Sequence, residues 1–144
     1  MKIRKTIYNK IINLCPVVPP ETGGIIGQQN GIICFAEFDS GTVQSDCAVY
    51  IPNVEKLNSV IEKWNRSGIE FVGMFHSHPI GQETLSGEDI EYIKTIFDSM
   101  PDNVTELYFP IVIPKSHIIA YKAIRKNHRV WIEKDSVVIK EAEL

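Results

Sequence analysis

Apolar side chains recur every three or four residues in three parts of the chain, a spacing that places them on one face of an α-helix. The first part lies within residues 1–14 and stops at a cluster of prolines, and the second covers residues 54–66 and stops at Ser67-Gly68. The third follows Ser86 and closes near Met100-Pro101. The pattern therefore predicts three amphipathic helices, each with one buried face.

Segments rich in β-branched and aromatic residues lie between these helices, as is typical of strands. Residues 22–28 and 31–38 flank Asn30-Gly31, a dipeptide that predicts a tight hairpin turn. A central strand over residues 69–75 leads directly into His76. Four more strands are expected, the last two as a closing hairpin: residues 107–113, 118–124, 130–132 and 136–139.

The order of these elements predicts an α/β fold, in which a mixed β-sheet has helices packed against it. A chain of 144 residues is long enough for a substantial core, and we expect a single domain over residues 1–144. The hydrophobic content of 44% and the charged content of 23% are close to globular averages, which disfavours disorder.

The charge balance limits the classes of partner. A formal net charge of −3 gives no general attraction to nucleic acid or to an anionic membrane, so neither is expected as a partner. The N-terminal segment carries several lysines without a long apolar core, unlike a signal peptide, and no apolar run is long enough to span a bilayer. We therefore expect a cytoplasmic protein.

The three cysteines predict no chemistry of their own. Cys15, Cys34 and Cys47 are odd in number and form no Cys-x-x-Cys pair, which argues against a disulfide framework and against a thiolate zinc site. We interpret them as small apolar thiols. A nucleophilic cysteine would need a neighbouring histidine, which the sequence cannot show, and this alternative is disfavoured.

The chemistry concentrates in the segment His76-Ser77-His78-Pro79 and in Asp89. Residues two apart in an extended strand point to the same side, so the two imidazoles can converge on one atom. The proline then removes a backbone donor and ends the strand. Two histidines and one aspartate, with one coordination position left for water, form the ligand set of a catalytic zinc site.

Two of the candidate residues also have purely structural interpretations. Ser86 and Asp89 are spaced as in a helix capping box, and capping and metal ligation by Asp89 are compatible roles. Glu21 follows a Pro-Pro pair and lies 55 residues before His76, so local pattern alone would make it a solvated carboxylate.

Taken together, these residues resemble the JAMM motif of the JAB/MPN metalloprotease family. The motif has an upstream glutamate, then His-x-His-Pro, six residues, Ser, two residues and Asp, and every spacing downstream of Glu21 matches. The resemblance implies the JAB/MPN fold, which is cytidine-deaminase-like, and one catalytic Zn²⁺ held by His76, His78 and Asp89. It also implies Glu21 as the general base and Ser86 as a hydrogen-bond donor to the reacting oxygen.

The resemblance further implies a zinc-dependent isopeptidase or peptidase. Family members commonly cut the amide bond after the C-terminal glycine of a ubiquitin-like protein, either to deconjugate it or to process its precursor. Activating and conjugating enzymes of the same system would then be further partners. One alternative is a peptidase that processes a sulfur-carrier protein in cysteine or cofactor biosynthesis. The other is a non-catalytic scaffold, which would be expected to lack one or more of the motif residues.

Overall fold

The computed structural model describes residues 1–42 and 50–141, whose strands form one nine-stranded mixed β-sheet. Across the sheet, the order is β8, β7, the collinear pair β5 and β6, β4, β2, β3, β1 and β9. The strands are β1 Lys2–Arg4, β2 Gly23–Gln29, β3 Ile32–Asp39, β4 Glu70–Ser77, β5 Glu106–Tyr108, β6 Ile111–Ile113, β7 His117–Lys126, β8 Arg129–Asp135 and β9 Val138–Lys140.

Three helices pack on this sheet within the described part of the chain: α1 Lys5–Leu14, α2 Val54–Arg66 and α3 Gly87–Asp98. All three follow the predicted apolar spacing, and α2 has the predicted bounds because Asn53 caps its start and Gly68, with φ 73°, follows its end. The mixed α/β architecture with helices packed against a sheet is thus confirmed.

The helices cover both faces of the sheet. Along β6, Val112 packs in the core beneath α1, whereas Ile111 and Ile113 point to the other face. That second face carries α2, through Leu57 and Trp64, and α3. The candidate site lies on this second face, at the end of β4. None of the helices in residues 1–42 and 50–141 has both the length and the apolar character needed to cross a membrane.

Three predictions about the strands are wrong. A short strand, β1, was not predicted before α1. It forms because Ile3 is buried between β3 and β9, and a three-residue segment carries no sequence pattern that indicates such burial. The strand predicted over 107–113 is two strands, since Pro110 has no N–H to continue the ladder. The predicted closing hairpin does not form: β8 pairs with β7, whereas β9 pairs with β1 at the opposite edge of the sheet.

Gly73 sets which residues of β4 face the site. It has φ 155°, and a side-chain Cβ there would lie 1.8 Å from the carbonyl oxygen of Tyr108, so only glycine fits. The register of β4 against β2 shifts at this point, which marks a β-bulge. Beyond the bulge, Met74 and His76 lie on the face that carries α2 and α3.

Candidate metal centre

The two histidines converge at the end of β4. The backbone N–H of His76 donates to the carbonyl of Pro110 at 3.3 Å, and that of His78 donates to the carbonyl of Val112 at 3.0 Å, so β6 and the proline before it hold both residues. Their Nε2 atoms lie 2.9 Å apart, and their ring centroids 4.6 Å apart. The convergence predicted from the i, i+2 spacing is confirmed.

Asp89 reaches the same point from the first turn of α3. Its Oδ1 lies 3.2 Å from Nε2 of His76, and its Oδ2 lies 3.3 Å from Nε2 of His78. The same carboxylate accepts the backbone N–H of Ser86 at 2.8 Å, which completes a capping box. The cap therefore fixes the carboxylate in the position from which it meets both histidines.

Ser86 is the N-cap of α3, and its Oγ accepts the backbone N–H of Asp89 at 3.1 Å. A hydroxyl oxygen that accepts one hydrogen bond still has its own O–H to donate. The side chain is exposed, so that O–H is accessible from solvent. Helix α3 thus begins with the predicted Ser-x-x-Asp cap.

Glu21 joins the site from a distant part of the sequence. Its Oε1 lies 4.0 Å from Nε2 of His78, and its side chain is largely buried. The next residue, Thr22, donates its backbone N–H to Oγ of Ser77 at 2.9 Å and accepts the backbone N–H of Ser77 at 2.8 Å. The residue between the two histidines therefore fixes the segment that carries Glu21.

These donors fit a divalent metal ion. Glu21, His76 and His78 each offer a ligand atom within 4.8 Å of the others, a cluster that could hold a metal. Asp89 lies closer to both histidines than Glu21 lies to His78. Ligand atoms on a tetrahedral zinc ion stand about 3.3 Å apart, given metal–ligand distances of about 2.0–2.1 Å. The separations of 2.9, 3.2 and 3.3 Å among His76, His78 and Asp89 are close to that edge, with Oδ1 of Asp89 facing His76 and Oδ2 facing His78.

The electrostatics of the site keep Asp89 ionised. Burial would raise the pKa of this carboxyl, but hydrogen bonds from His76 and His78 outweigh burial and hold its pKa well below the usual range. Burial lowers the pKa of His78, yet the hydrogen bonds to Asp89 and to the Gln82 carbonyl leave that pKa raised. Burial also raises the pKa of Glu21, although both histidines oppose the shift.

One contact orients His78 toward the site. Its Nδ1 lies 2.9 Å from the carbonyl oxygen of Gln82, so Nδ1 carries the proton in the neutral ring and Nε2 is left as the ligand atom. The loop that supplies this carbonyl is itself held, because the Tyr121 hydroxyl donates to the Glu83 carbonyl at 2.8 Å. The sequence did not predict the role of the Gln82 carbonyl, because any residue type supplies a backbone carbonyl. It did not predict the role of Ser77 either, whose only sequence signal was its position between the histidines.

Of the described cysteines, neither Cys15 nor Cys34 takes part in the site. Cys15 and Cys34 are buried and free, as expected of apolar thiols, and burial raises the pKa of Cys15 to about 11. A thiol with so high a pKa is a poor nucleophile at neutral pH. Cys47 lies outside the described residues.

Comparison of the sequence with models of protein families and with curated proteins gives no match. Solved structures do share the fold. Protein DSY2949 from Desulfitobacterium hafniense, a solution structure, aligns with a TM-score of 0.61 at 16% identity, over 98% of this chain and 93% of that one. A solution structure of a protein from Salinibacter ruber aligns with a TM-score of 0.54 at 14% identity, over 97% and 92%. At such identities the likeness extends to the mixed α/β fold alone.

Proposed function

We propose that this protein is a zinc-dependent amide hydrolase of the JAB/MPN type, which cuts after the C-terminal glycine of a ubiquitin-like protein. One observation carries the proposal. Two imidazole nitrogens and a carboxylate stand 2.9–3.3 Å from one another, with a second carboxylate, Glu21, 4.0 Å from His78. A site with three ligands, an open position and a neighbouring base is what metal-assisted hydrolysis requires.

The residues of the chain would divide the chemistry among them. Zinc held by His76, His78 and Asp89 would supply a Lewis acid that polarises a carbonyl and brings the pKa of water toward about 7. Glu21 takes a proton from the attacking water and passes it to the leaving nitrogen. The C–N bond breaks, and the oxygen of the water joins the acyl carbon. The accessible Ser86 O–H would donate to the oxyanion that develops at the carbonyl.

The raised pKa of Glu21 suits this double role. A carboxylate with a raised pKa is a stronger base than an ordinary surface carboxylate, so it takes the proton of the attacking water more readily, and the carboxyl that results is still acidic enough to protonate a leaving amine. His78 is held by Gln82 in the tautomer that leaves Nε2 as a ligand atom.

Two alternatives to this function remain, a peptidase with a different carrier substrate and a non-catalytic scaffold. A peptidase for a sulfur-carrier protein would use the same site, so only the substrate separates the two enzymes. A non-catalytic scaffold has no need to assemble Glu21, His76, His78 and Asp89, and their convergence in the structure supports the enzyme.

The test is a cleavage panel of ubiquitin-like and sulfur-carrier proteins with C-terminal extensions or lysine conjugates, run beside zinc analysis. We expect chelator-sensitive cleavage after the terminal glycine, with the carrier that is cut identifying the pathway. Glu21→Gln should keep about one zinc per chain and lose most of the activity, because an amide of the same shape cannot accept the proton. Full activity in Glu21→Gln would refute the assignment of the base, and a wild-type protein that takes up no zinc would refute the hydrolase.

A further inference from the structure

A cavity of about 240 Å³ opens directly beside the candidate metal centre. It shares Glu21, His76 and Asp89 with that centre. Its other walls are mainly apolar, and they include Tyr50, Pro52, Met74, Tyr92, Ile93 and Phe109. An engineered apolar cavity of roughly 150 Å³ is large enough to bind benzene, so this one has room for a large side chain.

The cavity is built on the same elements that carry the site. Met74 precedes His76 by two positions in β4 and therefore lies on the same face of the strand. Tyr92 and Ile93 follow Asp89 by three and four positions in α3, so they lie on the same face of the helix. Because these elements fix both features, the cavity keeps a constant position relative to the site.

The far wall is fixed by a buried carboxylate. Asp39 is 3% exposed and accepts the Tyr50 hydroxyl at 2.8 Å and the backbone N–H of Asn53 at 2.8 Å. The ring of Tyr50 is therefore held in place before any ligand arrives. A cavity that needs no rearrangement binds its ligand at lower entropic cost.

The lining also indicates which part of a substrate the cavity takes, and this step depends on the proposed function. Glu21 lines the cavity, whereas Ser86 is absent from its described lining. In the proposed hydrolysis Glu21 takes the proton of the attacking water and delivers it to the leaving nitrogen, whereas Ser86 would serve the carbonyl oxygen. The group in the cavity is therefore attached to the leaving nitrogen rather than to the acyl carbon.

We propose that the cavity binds a large apolar side chain, of the size of leucine, methionine or phenylalanine, on the residue that follows the scissile amide. The substrate class is then a carrier protein with an apolar residue directly after its terminal glycine, and the reaction is precursor processing. A lysine isopeptide would place only an unbranched methylene chain in the cavity and would contact fewer of its walls. An acidic residue would meet Glu21, Glu88 and Asp89 at the same opening.

The first test is a set of fusions of one carrier that differ only in the residue after the glycine: leucine, phenylalanine, alanine, glycine or aspartate. A lysine-linked conjugate of the same carrier completes the set. We expect kcat/KM for the leucine and phenylalanine fusions to exceed that for the alanine fusion at least about tenfold, with aspartate and the conjugate lower still. Tyr92→Ala should reduce this ratio severalfold. Tyr92→Phe, which keeps the ring, and Trp131→Ala, on the distant strand β8, should preserve it.

The second test does not depend on catalysis. Of the three methionines, Met74 alone lines the cavity, so its methyl NMR signal reports on the occupant while Met1 and Met100 serve as internal references. Leucinamide, which mimics the N-terminal residue of the amine product of a leucine fusion, should shift the Met74 signal in a saturable way, and glycinamide should not.

The outcomes separate this inference from the proposed function. Cleavage of all fusions at equal rates, or faster cleavage of the lysine conjugate, would overturn the apolar subsite and leave the hydrolase standing. Cleavage of no substrate would count against the hydrolase. In that case a Met74 signal that responds to leucinamide would still support a cavity for an apolar amine, and an unchanged signal would overturn it.

Discussion

Ser77 and Thr22 are 55 positions apart in the sequence and are joined by reciprocal hydrogen bonds. The backbone N–H of Thr22 donates to Oγ of Ser77 at 2.9 Å, and the backbone N–H of Ser77 donates to the carbonyl of Thr22 at 2.8 Å. Ser77 is fully buried. This pair places Glu21, the neighbour of Thr22, beside His78, the neighbour of Ser77, and so closes the candidate site.

Ser77→Ala should weaken both the fold and the site. It leaves the buried N–H of Thr22 without its partner, which costs about 1–3 kcal/mol in the free energy of unfolding. Because Glu21 loses a constraint while the histidines do not, we expect kcat to fall while zinc content stays near one per chain. Urea denaturation, zinc analysis and turnover measure the three quantities.

The matched control is Ser99→Ala, which removes a local hydrogen bond from Oγ to the Ile96 carbonyl at the end of α3. This change should cost less stability and leave kcat unaltered. Equal effects of the two substitutions on kcat would show that the Ser77–Thr22 pair has no specific role in placing Glu21.

Removal of the metal should lower the stability of the protein. Zinc binds the folded arrangement of His76, His78 and Asp89 and not the unfolded chain, so it stabilises by about 4 kcal/mol when its concentration exceeds the Kd a thousandfold. Chelation should therefore lower Tm of the wild type but leave Tm of His78→Ala unchanged. An equal Tm with and without chelator in the wild type would contradict zinc binding at this site.

Asp89→Asn separates ligation from capping. The amide oxygen can still accept the backbone N–H of Ser86, so α3 keeps part of its cap, whereas the anionic ligand is lost. We expect a reduction of tenfold or more in zinc affinity, with little change in the helical circular dichroism signal. Ser86→Ala should do the opposite and lower stability by about 1 kcal/mol while zinc affinity is retained.

How far the sequence predicts this structure depends on the range of the interaction. Ser86 was identifiable as a helix cap because capping requires one residue type at a fixed offset from the helix. The partner of β8 was not, because strand pairing is decided across the whole sheet. Ile3 could not be recognised as strand core, since its burial depends on strands β3 and β9 from distant parts of the chain.

The same distinction applies to the candidate site. The spacing of His76 and His78 predicted their convergence, because a strand imposes it locally. Glu21 could be placed there only through the resemblance to a known motif, since the Ser77–Thr22 hydrogen bonds that position it have no sequence signature. The cavity beside the site was not predicted at all, because its described walls come from five separate segments of the chain.

Arg125 should be a stability residue, although it belongs to a basic stretch near the turn between β7 and β8. Its guanidinium donates to the carbonyls of Phe97, Pro101 and Val104, the last at 2.7 Å, and it lies 5.1 Å from the ring centroid of Phe97. Arg125→Ala should lower the free energy of unfolding by about 2–3 kcal/mol, because the carbonyls at the end of α3 and in the segment after it lose a charged donor. Arg129→Ala, at an exposed position, should change it by less than about 0.5 kcal/mol. Urea denaturation of the two variants measures the difference, and equal stabilities would contradict the structural role of Arg125.

The affinity for zinc should fall as the pH falls, and the pKa of His78 helps to set the pH range in which it falls. In the metal-free protein, burial lowers the pKa of His78, but the hydrogen bonds to Asp89 and to the Gln82 carbonyl outweigh burial and leave the pKa raised. Zinc binds only the neutral ring, so below this raised pKa each bound zinc must displace a proton, and the apparent affinity drops tenfold per pH unit for each proton displaced. Above the pKa of His78, this contribution to the pH dependence vanishes.

Competition with a chromophoric chelator between pH 5.5 and 8.5 measures the slope. Asp89→Asn removes the charge that favours His78 protonation, so its slope should begin at lower pH, and an unshifted profile would show that Asp89 does not control this titration.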